Sequence, residues 1–321
     1  SLPSAIDSVL LDDTVFYRSF YADSMPFPSS WQWVDIVSTY GAHPSAFVID
    51  RNSLSITVRA DADASAGDVP SVALVNDAYE EAVPIDNSAV VGENTDLDVT
   101  YVMGDPAIKV RGSVEPGYEG SFGLAAQNTN RFFSAGLGSI LANQGISAPP
   151  AVPGQCKHLK AVQSIRSPTW DEMFNLTMKE SDNLYAEEWL RVLGTLFPGT
   201  ASNTASAGLA QVESILESLG VPTDEIRQRD GSGISVQNLV TPNALVSLLW
   251  GMRDGPQFEL YQSFLPIAGV DGTLEFRFVG TPAEGNVFAK TGTITGVNAL
   301  SGYVNNDQFE TLLFSILVNE S

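Results

Sequence analysis

The sequence lacks the features that mark several common classes of protein. Its 321 residues include a single cysteine, Cys156, so no disulfide can form within the chain. No apolar run reaches the length of a membrane span, and no signal peptide is recognisable at the start. We therefore expect a chain that is soluble as given, has no transmembrane segment, and begins at Ser1 through processing or truncation.

Basic residues are scarce. The chain has 16 lysines and arginines against 38 aspartates and glutamates, which gives a formal net charge of −22. Because such a chain repels phosphates, the composition excludes nucleic acid as a partner. The acidic residues are spread along the chain rather than gathered in a tail, which indicates a solubility feature rather than a functional patch.

Histidine is rarer still, with only His43 and His158. His158 follows Cys156 at a spacing that could suggest a metal site, but the sequence offers no second pair of ligands. We therefore predict no metal and no cofactor. A Ser-His-Asp hydrolase is disfavoured too, since only these two histidines could serve as the base and no G-x-S-x-G elbow is present.

The length of the chain fits two or three lobes, and 44% hydrophobic with 17% charged residues is normal for a protein with a full core. Residues 1–163 are β-rich in their pattern, with strand signals that include 46–49 and 54–58. One helix is expected over residues 128–144, where apolar residues recur at helical spacing.

Residues 164–321 begin with helical patterns and end with strands. Ser167-Pro168 predicts the start of a first helix, and a second helix is expected to stop at Gly194. Strand patterns between residues 287 and 318 predict an antiparallel meander. Helices gathered against an antiparallel sheet define an α+β domain.

Two short motifs stand out in this second half. Ser181-Asp182-Asn183 lies where one predicted helix ends and the next begins, so its side chains can project from a tight turn. Lys290-Thr291-Gly292 lies on a predicted strand. They are two of the three elements, S-x-x-K, S-D-N and K-T-G, of the active-site serine penicillin-recognising enzymes.

The residue types suit hydrolysis of a peptide or β-lactam through an acyl-enzyme, which needs a proton carrier and an anchor for the substrate carboxylate. Asn183 can hold the substrate amide, and Ser181 can relay a proton to the leaving nitrogen. Lys290 can supply a positive field for an anionic substrate end. The structural alternative is that Ser181 and Asn183 cap the following helix and that Lys290 is a solvated strand residue.

Three further positions on the strand are candidate substrate-binding residues. Gly292 lets a substrate backbone lie close to the strand, as an added β-strand would. Thr291 and Thr293 offer hydroxyls for a terminal carboxylate, and the Thr293 backbone N–H can supply one oxyanion donor. The predicted catalytic residues are thus Ser181, Asn183 and Lys290, and the predicted substrate-binding residues are these three.

Longer segments extend the likeness. They are residues 178–187 around S-D-N, 230–242 with a glycine-rich loop, 265–274, and 289–297 around K-T-G, with looser likeness at Leu11-Asp12-Asp13 and 40–46. On these segments the chain resembles the class C low-molecular-mass penicillin-binding proteins, which are D-alanyl-D-alanine carboxypeptidases and endopeptidases. The resemblance is strong after about residue 164 and covers nearly the whole chain.

The resemblance implies a penicillin-binding-protein/β-lactamase-like transpeptidase domain, here incomplete, in residues 164–321, with inserted β-rich lobes in residues 1–163. It implies peptidoglycan stem peptides ending in D-Ala-D-Ala as substrates and β-lactams as compounds that acylate the same serine. It also implies a location outside the cytoplasmic membrane, in the periplasm or cell envelope.

One element of the family is absent. None of the five lysines has a serine three places before it, so the sequence contains no S-x-x-K and no candidate nucleophile. We expect a fragment truncated at both ends, inactive on its own, rather than a degenerate enzyme. Such a truncation also predicts a poorly covered sheet face beside the last two strands.

Other functions stay open at this point. One alternative is a non-catalytic peptidoglycan-binding protein of the same family. A β-lactamase or esterase on this scaffold is disfavoured by the inserted β-rich half. The glycine-rich loop at 230–233 lacks the lysine and the strand-loop-helix frame of a phosphate-binding loop, so we interpret it as a tight turn. Asp230 either lines the cleft or stabilises that turn.

Overall fold

The computed structural model describes residues 27–147, 168–306 and 309–320. They form two compact units: the first contains residues 32–147, and the second contains residues 27–31, 168–306 and 309–320. Several sequence predictions lie outside the described residues, namely those for Leu11-Asp12-Asp13, the Cys156/His158 pair and the domain boundary at residue 163.

The first unit is rich in β-structure. Its elements are α1 (Trp33–Val37), β1 (Ser53–Arg59), β2 (Ser71–Leu74), β3 (Ile85–Asn87), β4 (Val90–Val91), β5 (Asp96–Val102), β6 (Asp105–Val114), β7 (Glu119–Ala125) and α2 (Thr129–Asn143). One sheet has the order β2-β1-β7, and a second has the order β3-β6-β4 with β5 also paired to β6. The strand predicted over 54–58 is confirmed, since Leu54, Ile56 and Val58 of β1 all point into the core.

The strand predicted over residues 46–49 is wrong. Phe47 packs its ring on Phe133 of α2, with ring centroids 5.1 Å apart. Ile49 lies against Gly136 of the same helix. These apolar side chains pack singly against a helix, and their backbone forms bends rather than a ladder of strand hydrogen bonds.

His43 has a structural role in this unit. It is 2% exposed, and its Nε2 lies 3.2 Å from the backbone oxygen of Ile36. The side-chain amide of buried Asn52 donates to the backbone oxygen of His43 at 2.8 Å. Burial lowers the pKa of His43 to about 4, far from that of a general base poised near neutral pH.

The second unit combines helices with an antiparallel sheet, as the predicted α+β class requires. Its elements are α3 (Trp170–Lys179), α4 (Asn183–Leu196), α5 (Thr204–Ser218), β8 (Ile226–Arg227), β9 (Leu239–Val240), α6 (Pro242–Arg253), α7 (Phe258–Phe264), β10 (Val287–Ile294), β11 (Val297–Asn306) and β12 (Phe309–Asn319). The order β10-β11-β12 is the predicted meander.

Across the described ranges of both units, every helix is too short or too polar to cross a membrane.

Two helix boundaries differ from the sequence prediction. The start predicted at Ser167-Pro168 is wrong, because Thr169 caps α3 and shares reciprocal hydrogen bonds with Glu172 in a capping box. The stop predicted at Gly194 is also wrong, because α4 runs two residues further. A Cβ at position 194 would collide with the backbone oxygen of Thr204, so this glycine serves the close approach of α5 rather than a helix end.

Strand β10 is packed on both faces. On one face, Phe288 of β10 packs against a cluster that contains Leu249 of α6 and the fully buried Tyr303 of β11. On the other face, Val287 and Ala289 of β10 pack against Leu274. The strand that carries K-T-G is therefore held between two apolar clusters.

Strand β12 leaves one side of the sheet poorly covered, as the sequence analysis predicts. Leu312, Ile316 and Val318 alternate along the strand, point to the same side, and are 43–55% exposed. Exposed apolar side chains on one side of a strand favour association with other surfaces.

We expect the 321-residue chain to self-associate through this side of β12. Ile316→Thr should reduce the association, because it removes apolar area from one of the three exposed side chains. Sedimentation velocity over a range of concentrations measures this. Val69→Thr is the matched control, since Val69 is 66% exposed in the first unit. A chain that stays monomeric at all concentrations would contradict the expectation.

Candidate functional site

The S-D-N motif begins in a strained turn. Ser181 follows Glu180, the C-cap of α3, and has a φ of +57°. The Asp182 N–H donates to the backbone oxygen of Thr177 at 3.0 Å, which closes a Schellman-type end for the helix. Glycine usually occupies this left-handed position, because a side chain there costs about 1–2 kcal/mol. A serine at such a cost indicates that its hydroxyl has a use.

The same turn starts the next helix. Asp182 is the N-cap of α4, and its carboxylate accepts a hydrogen bond from the Tyr185 N–H at 2.9 Å. Asn183 is the first helical residue. The helix is therefore capped by the middle residue of S-D-N, so capping does not account for the serine and the asparagine on either side of it.

Lys290 reaches the turn from β10. Its Nζ donates to the Ser181 hydroxyl at 2.7 Å and to the backbone oxygen of Thr291 at 2.9 Å. Lys179 forms an ion pair with Asp271, and Lys109 also has carboxylate partners. In the ranges that the structure describes, no carboxylate pairs with Lys290.

Burial changes the proton affinity of this lysine. Lys290 is half-buried, and desolvation lowers its pKa from 10.5 to about 8. The group is still mostly protonated near pH 7 but loses its charge at modestly higher pH. A half-buried ammonium without a carboxylate partner favours the binding of an anion.

The outer edge of β10 is divided into a covered and an open part. Ala289 donates to the Pro266 backbone oxygen at 2.9 Å, and the Val287 backbone oxygen accepts from Ala268 at 2.9 Å. Because backbone groups alternate along an antiparallel strand, Thr291 and Thr293 direct their N–H and C=O groups to the same edge. Beyond the covered part, that edge offers hydrogen bonds to an added extended peptide.

A buried carboxylate that the sequence analysis missed positions the glycine-rich loop. Glu187 lies four residues after Asn183 in α4 and is 0% exposed. It accepts hydrogen bonds from the Gly231 N–H at 2.8 Å and the Ser232 N–H at 2.9 Å. Its other oxygen accepts from Arg191 at 3.0 Å. The sequence signal for this role is the position of Glu187 within the segment 178–187, one helical turn after Asn183.

Asp230 is a turn residue. It is 1% exposed, and its carboxylate accepts from the N–H groups of Gly233 at 2.9 Å and Ser235 at 2.7 Å. The same carboxylate accepts from the side chains of Asn238 at 2.8 Å and Trp31 at 2.9 Å. Of the two roles left open by the sequence, stabilisation of the turn is the one that these bonds describe.

The structure brings together Ser181, Lys290 and Thr291 by direct hydrogen bonds. Asn183 lies two residues from Ser181 at the start of α4, and Gly292 and Thr293 are exposed on β10 beyond the covered edge. We call this region, formed by residues 181–183 and 290–293, the groove. Residues 27–147, 168–306 and 309–320 contain no cluster of three metal-ligating side chains.

Sequence comparisons identify relatives of the whole chain. A model of the D-Ala-D-Ala carboxypeptidase 3 (S13) family matches residues 4–321. Penicillin-sensitive carboxypeptidase A of Dictyostelium discoideum is 32% identical over 97% of this chain and 62% of that protein. The D-alanyl-D-alanine carboxypeptidase of Actinomadura sp. (strain R39) is 33% identical over 96% of this chain and 58% of that protein. The chain thus spans about three fifths of the length of these curated relatives.

Structural comparison confirms the predicted fold and the family resemblance. The crystal structure of penicillin-binding protein 4 from Haemophilus influenzae matches with a TM-score of 0.80 and 26% identity, over 94% of this chain and 67% of that one. A structure of the same protein in complex with a β-lactam matches with a TM-score of 0.73 and 26% identity, over 86% of this chain and 64% of that one.

We expect the Lys290 ammonium to titrate at a pKa of about 8, because burial disfavours its charged form. NMR titration of the chain labelled with carbon-13 at the lysine ε-carbons measures this, and Lys290→Arg assigns the signal. Lys109 is the internal control, since the hydrogen bonds that it donates to Asp105 and Asp86 raise its pKa. A Lys290 signal that titrates near the ordinary value of 10.5 would contradict the description of the groove.

Proposed function

Because the chain belongs to the D-Ala-D-Ala carboxypeptidase 3 (S13) family, we propose that it supplies two walls of the substrate groove of a serine-type carboxypeptidase or endopeptidase. The substrates are peptidoglycan stem peptides that end in D-Ala-D-Ala, or their cross-links. One wall is the S-D-N turn between α3 and α4, and the other is the K-T-G strand β10.

The observation that carries this proposal is the environment of Lys290. In a chain of net charge −22, its ammonium is half-buried, bonds to the Ser181 hydroxyl, and has no carboxylate partner within the described ranges. A peptide that ends in D-Ala-D-Ala brings a carboxylate to that position. The attraction is strong there because burial reduces screening by water.

The groove residues hold the peptide in a defined direction. The terminal carboxylate lies near the Lys290 ammonium and accepts from the hydroxyls of Thr291 and Thr293. The substrate backbone runs along the open edge of β10, where Gly292 leaves room for it. Asn183 binds the amide of the substrate from the opposite wall.

Peptide cleavage then follows the acyl-enzyme route. A serine hydroxyl oxygen attacks the carbonyl carbon of the penultimate D-Ala and gives up its proton, and the Thr293 N–H donates to the developing oxyanion. The C–N bond breaks, and Ser181, bonded to Lys290, relays a proton to the leaving nitrogen of the terminal D-Ala. Water hydrolyses the resulting ester and frees the serine. β-Lactams acylate the same serine, and the reaction takes place outside the cytoplasmic membrane.

The attacking serine of the family belongs to its S-x-x-K element, which these 321 residues do not contain. We therefore propose that this chain alone binds its peptide without cleaving it. A second candidate function is a peptidoglycan-binding protein that keeps the groove and performs no chemistry, since such a protein would also lack S-x-x-K. An S-x-x-K upstream of Ser1 in the gene favours the enzyme over the binding protein.

We expect acetyl-D-Ala-D-Ala to bind the groove and to shift the amide NMR signals of Thr291, Gly292 and Thr293. Lys290→Met should weaken binding by at least about tenfold, because it removes a charge-assisted contact to the carboxylate. Affinity should be highest below a pH of about 8 and fall above it, since the Lys290 ammonium is lost there. A fluorescent penicillin should leave no covalent label on the chain.

Two controls accompany this experiment. Acetyl-L-Ala-L-Ala has the same charge and composition, so it tests whether the groove distinguishes the D- from the L-configuration. Lys109→Met removes a lysine of the first unit that is paired with carboxylates of that unit, so peptide binding should not change. Equal binding by wild type and Lys290→Met would reject the proposed function, and covalent labelling at a serine would reject the absence of a nucleophile.

A further inference from the structure

Residues 265–274, which we call the bridging loop, are tied to the S-D-N wall by a buried lysine. Lys179 is the last residue of α3, two positions before Ser181, and is 9% exposed. Its Nζ donates to the Leu265 backbone oxygen at 2.6 Å and to both oxygens of the Asp271 carboxylate at 2.9 and 2.7 Å. Three donors with three acceptors fix the loop to the end of α3.

The backbone of the bridging loop also packs directly on this wall. Gly272 has a φ of +56°, and a Cβ there would lie 2.7 Å from the backbone oxygen of Lys179. Both the conformation and the distance require glycine. The residue that follows, Thr273, is therefore held in a defined place relative to Ser181.

Thr273 contacts the opposite wall. Its hydroxyl oxygen lies 2.8 Å from the hydroxyl oxygen of Thr291, the middle residue of K-T-G. The backbone oxygen of Thr291 accepts from Lys290. The K-T-G threonine is thus held at its backbone by the groove lysine and at its side chain by the bridging loop.

We propose that Thr273 is a positioning residue that sets the Thr291 hydroxyl for the substrate carboxylate, and that Lys179 and Asp271 keep it in register with the S-D-N wall. This inference rests on the proposed function. A carboxylate only accepts hydrogen bonds, so its arrival selects the arrangement in which Thr273 donates to Thr291 and Thr291 donates to the carboxylate. The two hydroxyls form a relay of hydrogen bonds that strengthen each other.

The test uses the 321-residue chain and two measurements. Three-bond couplings of the Thr291 side chain report its rotamer in the free protein, and NMR titration gives the affinity for acetyl-D-Ala-D-Ala. In Thr273→Val, which keeps the shape and removes the hydroxyl, we expect the Thr291 rotamer to become averaged and affinity to fall about fivefold. Thr273→Ser restores the hydroxyl, so both measurements should return to near wild type.

Matched controls separate positioning from stability. Thr281→Val removes another threonine hydroxyl, one that donates to the Phe278 backbone oxygen in an exposed loop, and should change neither measurement. Asp271→Asn removes the carboxylate bound by Lys179 and should loosen the Thr291 rotamer. Its own control is Asp86→Asn, which removes a carboxylate bound by a lysine in the other unit.

The outcomes distinguish this inference from the proposed function. If wild type does not bind the peptide, the proposed function fails, while the rotamer of Thr291 in the free chain still decides whether Thr273 positions it. If wild type binds but Thr273→Val shows an unchanged rotamer and an unchanged affinity, the positioning role is overturned and the proposed function stands.

Discussion

The site depends on one contact, the hydrogen bond of 2.7 Å from the Lys290 ammonium to the Ser181 hydroxyl. It joins strand β10 to the turn between α3 and α4, which are far apart in the sequence. Apolar clusters on both faces of β10 hold the strand that carries the lysine. Because burial removes water from the ammonium without supplying a carboxylate from the described residues, the contact leaves a positive charge available to a ligand.

Buried charges elsewhere in the second unit are arranged differently. Lys179 is paired with Asp271, and Glu187 is paired with Arg191 and with the glycine-rich loop. These pairs fix the position of backbone segments around the groove, and breaking one of them would leave an uncompensated buried charge. The buried charges that position the two walls are therefore paired with each other, whereas Lys290 has no partner among the carboxylates that the structure describes.

Much of this arrangement could be predicted from the sequence, because helical and strand periodicity are local properties. The helix-turn context of S-D-N and the strand context of K-T-G follow from such patterns. The left-handed conformation of Ser181 could not be predicted, since it follows from the Schellman-type end of α3, a feature that normally selects glycine. The roles of Thr273 and Glu187 could not be predicted either, because each depends on a contact with a residue distant in the sequence.

The most direct test of the account is a double-mutant cycle between Ser181 and Lys290. The free energies of unfolding of wild type, Ser181→Ala, Lys290→Met and the double variant, measured by urea denaturation, give the coupling between the two side chains. A direct hydrogen bond to a charged group predicts a coupling of about 1 kcal/mol or more. Additive effects, with a coupling within about 0.3 kcal/mol of zero, would contradict the contact on which the groove depends.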